Sequence, residues 1–239
     1  MKPLRSFNPN HYLNKHIRIN MKKLLKSLLL VCSIIIAEQC LAQPFAEEIE
    51  RFKKQDQLNA PPANAILFVG SSSFTKWTDV SNNFPGYIII NRGFGGSTLL
   101  DVIRYANDII IPYHPKQVVI YCGDNDLASS DAVTPDSVFE RFRVLFDLIR
   151  AHLPGENIVY VSIKPSPSRA RLKEKMDQTN LLIKTYLSLN RNTAFVDVYH
   201  KMLNPDGTVM TDIFLEDNLH MNAKGYTIWQ KAITPYLSK

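Results

Sequence analysis

Apolar residues gather in short blocks along this chain. Nearly continuous apolar runs stand at residues 66–69, 87–90, 117–121, 158–163 and 194–198, rich in Val, Ile and Tyr. That pattern predicts strands buried on both faces of a parallel sheet. Between them the apolar period lengthens to that of a helix. Thr134 and Pro135 predict an N-cap and first helical residue, followed by Val138, Phe142, Leu145 and Ile149 on one face. Residues 168–189 repeat the theme with Leu172, Met176, Ile183 and Leu187, and so does the stretch from Asn222 with Tyr226, Trp229, Ile233 and Leu237. Residues 45–57 predict a charged leading helix that apposes Phe45, Ile49 and Phe52, ended by the Pro-rich stretch after Asn59. Strand–helix alternation predicts one three-layer α/β/α domain with a central parallel sheet of about five strands, spanning residues 43–239.

Residues 1–42 read differently. From Met21, three lysines (Lys22, Lys23, Lys26) precede an apolar run at 28–37 and then Cys40-Leu41-Ala42 before Gln43. This is the order of a secretory signal peptide, which predicts export to the periplasm or beyond after cleavage near Ala42. The run is short for a bilayer span, so an uncleaved anchor is the alternative, and the membrane is expected as a partner only during export. Residues 1–20 are either a long leading region or precede a true start at Met21.

The leader also carries the charge. The whole chain has 28 basic and 22 acidic residues, net +6, but residues 1–42 hold seven of the basic ones and one acidic. The remainder is balanced at 21 of each sign, which argues against nucleic acid as a partner. Cys32 and Cys40 fall in the leader, so Cys122 has no internal disulfide partner in the exported part.

In a parallel sheet, ligands bind beyond the carboxyl ends of the strands. The first run is followed there by Gly70-Ser71-Ser72-Ser73 and the second by Asn91-Arg92-Gly93-Phe94-Gly95-Gly96-Ser97-Thr98. The third leads into Gly123-Asp124-Asn125-Asp126, and Asp217 and His220 stand three apart near the end. Singly each is an ordinary turn. Together they offer an alcohol nucleophile, a base with an orienting carboxylate, and amides able to hold an oxyanion.

These four stretches resemble the four signature blocks of the SGNH hydrolase superfamily, the GDSL-type esterases and lipases. The resemblance runs through nearly all of residues 43–239. It implies a flavodoxin-like sheet, no metal and no organic cofactor. It places the nucleophile at Ser72, oxyanion donors at Ser72, Gly96 and Asn125, and the terminal Asp-x-x-His at Asp217 and His220. Ser71 and Ser73 replace the Asp and Leu that name the first block. The stretch from Phe68 to Trp77 is also similar to a branch containing platelet-activating-factor-acetylhydrolase-like proteins. The implied activity is an exported serine esterase that removes short acyl groups, acetyl among them, from a glycan, lipid or small-molecule ester. A non-catalytic binding module, a phosphate or flavin binder, and an acyltransferase using the same site are the alternatives.

Further residues carry narrower expectations. Arg92 and Arg169 are candidates to reach a polar or anionic group of the substrate. Asp126 is expected to hold its loop and Asp124 to be exposed. Cys122 is expected in the core, and Trp77 and Phe94 in the core or a pocket wall. His114, His152 and His200, with no carboxylate or serine motif read beside them, are expected at the surface or as caps.

Overall fold

The computed structural model describes residues 43–239, so the expectations for the leader, its cleavage and the start at Met21 lie outside the described residues. Five parallel strands form one sheet: β1 (Ile66–Gly70), β2 (Ile89–Gly93), β3 (Gln117–Tyr121), β4 (Asn157–Val161) and β5 (Thr193–Val196), in the spatial order β2-β1-β3-β4-β5. Helices cover both faces, giving the α/β/α architecture that the alternation predicts.

The strand periodicity divides the core. On one face Ile66, Phe68, Val119, Tyr121, Val159 and Val161 pack with Phe74, Trp77 and with Trp229 of the last long helix, α7 (Ala223–Ile233). On the other, Phe142 of α5 (Pro135–His152) meets Tyr160 at 5.0 Å between ring centroids. Helix α6 (Lys173–Ser188) packs beside α5. Thr134 caps α5 through a capping box with Ser137, and Asn222 caps α7 by accepting from the Lys224 and Gly225 amides.

Three expectations need correction. The strand read at 87–90 runs from Ile89 to Gly93, so Asn91, Arg92 and Gly93 belong to the strand and not to the loop after it. Their register against Phe68, Val69 and Gly70 of β1 supplies the hydrogen bonds that extend it. Moreover β2 and β5 are the sheet's edges and only partly buried, with Ile88 half exposed, so burial on both faces holds only for the inner strands. The helix expected from 168 begins as a 3-10 segment, Pro167–Leu172, before α6.

The chain steps outward from β1 to β2, then back across β1 to β3. This reversal opens a crevice at the carboxyl ends of β1 and β3. The two ends are pinned together: the Ser71 amide donates to the Tyr121 carbonyl at 2.9 Å. Gly70 permits that approach. Its φ is +132°, and a Cβ there would stand 1.9 Å from the Tyr121 carbonyl oxygen.

Candidate active site

Ser72 is the first residue of α2 (Ser72–Thr75), a single turn directly after β1. Its first amides, the Ser72 N–H among them, have no partner within the helix. One turn sums only a few peptide dipoles, so the helix field expected at Ser72 is small. The turn is fixed from outside instead. Tyr226 of α7 donates its hydroxyl to the Ser73 carbonyl at 2.9 Å and stacks on Trp77, with centroids 4.8 Å apart.

His220 Nε2 lies 3.1 Å from Ser72 Oγ, and His220 Nδ1 lies 2.6 Å from Asp217 Oδ2. A carboxylate only accepts, so Nδ1 carries the proton and the Nε2 lone pair faces the serine hydroxyl. Asp217 Oδ1 accepts the backbone amides of Leu219 at 3.0 Å and His220 at 2.9 Å. The His220 ring and then its amide hold this half-exposed carboxyl well below the usual range. It therefore remains an anion, able to orient the imidazole and balance an imidazolium.

His200 is exposed as expected, but a second Asp-x-x-His pair corrects the reading that no carboxylate stands beside it. His200 Nδ1 lies 2.8 Å from Asp197 Oδ2, and its amide donates to Asp197 Oδ1 at 3.0 Å. The carboxylate three residues before it was legible in the sequence and was missed. What distinguishes His220 is the serine on its other nitrogen.

Asn125 sits in α4 (Asp124–Ser129), entered through Gly123 at φ +123°. Its Nδ2 donates to Ser71 Oγ at 2.6 Å and to the Ser97 carbonyl at 3.0 Å, while its Oδ1 accepts from Arg169 at 2.7 Å. In the loop after β2, Phe94 N donates to Gly70 O and Ser97 N to Phe94 O. Gly96, at φ +86°, is exposed between them. Ser71 and Ser97, both fully buried, thus hold the Asn125 side chain, a placement with no mark in the sequence beyond their neighbours.

Beneath Asn125 lies a buried charge cluster, where Asp124 is corrected from exposed to buried. Asp124 Oδ2 is 3.0 Å from Arg169 and 3.6 Å from Lys164, and it accepts from the Tyr121 hydroxyl at 3.1 Å; Oδ1 accepts the Asn125 amide at 3.0 Å. Burial pushes the Asp124 carboxyl up, but Lys164, Arg169, Tyr121 and the Asn125 amide outweigh it and the net shift is down. Burial lowers Lys164, with Asp124 opposing. Asp126 accepts the Leu99 amide at 2.9 Å and Arg141 at 2.8 Å, so it ties α4, and not a loop as expected, to α3 (Leu99–Arg104) and α5. Trp77, Phe94 and Cys122 are buried, and burial pushes the Cys122 thiol well up.

Arg92 is not free for a substrate. Register places it on the face opposite Asn91. There its guanidinium pairs with Asp56 of α1 (Ala46–Leu58), donates to Tyr113 Oη at 2.6 Å, and stacks on Phe52 and Tyr113. Among the described residues no helix is long and apolar enough to cross a membrane.

Residues 67–228 match the model of the GDSL-like lipase/acylhydrolase family. The chain is 27% identical over 171 residues to the human platelet-activating factor acetylhydrolase IB subunit alpha1, a match covering 68% of this chain and 70% of the relative. It is similar in fold to a GDSL-like lipase from Bacteroides thetaiotaomicron, with TM-score 0.68 and 23% identity over 79% of this chain and 96% of the other. It also resembles a catalytic mutant of an acetylxylan esterase from Geobacillus stearothermophilus, with TM-score 0.59 and 17% identity over 74% and 95% of the two chains.

Proposed function

Because the chain belongs to the GDSL-like lipase/acylhydrolase family and is a carboxylic ester hydrolase, we propose that it is an exported serine esterase removing short acyl groups through Ser72, His220 and Asp217. The observation that carries this reading is the continuous chain from Ser72 Oγ through His220 to Asp217, at 3.1 and 2.6 Å.

His220 Nε2 takes the hydroxyl proton as Ser72 Oγ attacks the ester carbonyl. The tetrahedral oxyanion is held by the Ser72 and Gly96 amides and by Asn125 Nδ2, which shares with the new charge the N–H now on Ser71 Oγ while its carbonyl stays on Arg169. Each such donor lowers the barrier by roughly 3 kcal/mol. The imidazolium, balanced by Asp217, protonates the leaving alcohol, and a water activated by the same nitrogen then releases the acid. The names of two relatives, an acetylhydrolase and an acetylxylan esterase, support an acetyl group as the acyl part. Export is supported by the leader from Met21.

The test is turnover of p-nitrophenyl acetate together with labelling by a fluorophosphonate. Ser72→Ala is expected to abolish both, while Ser71→Ala and Ser73→Ala keep the label at Ser72. Wild-type turnover in Ser72→Ala sinks the assignment. Comparing acetyl, butyryl and octanoyl esters beside acetylated oligosaccharides then sets acyl length and alcohol.

A further inference from the structure

The oxyanion amide is held by a charged group that plays no part in the proposed proton path. Arg169 lies on the 3-10 segment Pro167–Leu172, far from Asn125 in sequence, and its guanidinium forks. One nitrogen donates to Asn125 Oδ1 at 2.7 Å; the other, fully buried, is ion-paired with Asp124 at 3.0 Å without a hydrogen bond of its own. Arginine only donates and the Ser97 carbonyl only accepts. Asn125 between them has one orientation that satisfies both: oxygen toward Arg169, nitrogen toward Ser97 and Ser71.

The same segment reaches the other half of the site. The Ser168 amide donates to the Asn218 carbonyl at 3.1 Å, inside the Asp217–His220 turn. Arg169 itself is mostly buried and is anchored below by Asp124, which Lys164 and Tyr121 flank. A side chain held on two sides by protein partners is poorly placed to bind substrate, so the substrate role expected for Arg169 from sequence gives way to another.

We infer that Arg169 is a positioning residue: it fixes the Asn125 side-chain amide with its N–H groups toward the oxyanion position, and Asp124 fixes Arg169. This rests on the esterase reading above. Without Arg169, Oδ1 loses its donor and the amide can rotate, presenting an acceptor where the anion forms.

The experiment compares Arg169→Met, Arg169→Lys, Asn125→Ala and the double variant Arg169→Met/Asn125→Ala on p-nitrophenyl acetate, an uncharged ester. Asn125→Ala is expected to lower kcat by roughly 10²-fold to 10³-fold. Arg169→Met is expected to lower kcat at least about tenfold with KM within about twofold, and to add less than about twofold once Asn125 is alanine. Arg169→Lys keeps a charge beside Asp124 without the parallel N–H to Asn125. It is expected to melt close to wild type, with kcat still lowered.

An equal loss from Arg169→Met with and without Asn125 overturns the inference, as does a rise in KM alone or full kcat in Arg169→Lys. The esterase reading fails separately: Ser72→Ala with wild-type turnover removes both conclusions. Dead Ser72→Ala and Asn125→Ala beside a fully active Arg169→Met removes this one only.

Discussion

Asp124→Asn isolates what the buried cluster costs and what it holds. The change keeps the shape of the side chain but deletes the charge between Arg169, at 3.0 Å, and Lys164, at 3.6 Å. Lys164 is 1% exposed, so its ammonium is left without a counter-charge in the interior. Stranding one partner of a buried pair typically costs about 3–5 kcal/mol. In a domain of this size that corresponds to a melting temperature lower by roughly 10 °C. The deficit has a pH signature. In the wild type burial already lowers Lys164 from 10.5, while Asp124 pulls it back. Without Asp124, only the smaller pull of Asp217 still opposes burial and Arg169, and the folded-state value drops further. A cation whose pKa is lower folded than unfolded destabilises fully below its folded value, and the penalty fades as pH climbs toward the unfolded value. Asp124→Asn is therefore expected to recover stability as pH rises from neutral toward the ordinary lysine value of 10.5, by at most about 1.4 kcal/mol per pH unit. Urea unfolding of both proteins across that window measures it. A deficit constant with pH would refute the placement of the uncompensated charge on Lys164.

The other expectations concern groups on and off the proton path. Arg92→Ala should leave ester turnover and KM within about twofold of wild type. It should lower the melting temperature by about 4–8 °C, since the lost bonds to Asp56 and Tyr113 are worth about 2 kcal/mol; a raised KM in a protein that melts normally would return Arg92 to the substrate site. His200→Ala should keep turnover, whereas His220→Ala should lose at least about 10³-fold, because only His220 has a serine on its second nitrogen; equal losses would end that distinction. Burial, with Asp56 for Tyr113 and with Asp177 and Asp197 for Tyr199, raises both phenols from 10.0 to about 12. A group whose folded pKa is raised stabilises below its unfolded value and loses that contribution as pH rises through the folded one. Urea midpoints should therefore fall between pH 10 and about pH 12, and Tyr113→Phe should flatten that fall; an unchanged slope would contradict it.

The sequence disclosed those parts of the molecule whose physics is local. Apolar blocks place the inner strands β1 and β3 to within a residue, because burial on both faces leaves little room for polar side chains. The edge strand β2 was misplaced by two residues for the same reason in reverse: Asn91 and Arg92 are polar, yet β1 supplies the bonds that make them strand. The site divides likewise. Ser72, Asn125, Asp217 and His220 stand in short stretches that a chain reading can pair with chemistry, and the fold brings Ser72 and His220 together across 148 positions.

What was not legible is the layer behind them. Asp124 looked like a solvated turn residue because nothing near it in sequence is basic; its partners Lys164 and Arg169 arrive from the loop beyond β4. Arg169 reads in the sequence as a candidate for a substrate group, and it is the fold that sets it against the Asn125 carbonyl and Asp124 instead. Charges are buried only where they are paired, and pairing is a property of the fold that spacing along the chain does not record. The same logic makes the layer informative. A chain that keeps Lys164, Asp124 and Arg169 in its interior, where apolar residues of similar size would cost less to bury, is using the geometry they impose. That geometry ends on the Asn125 amide.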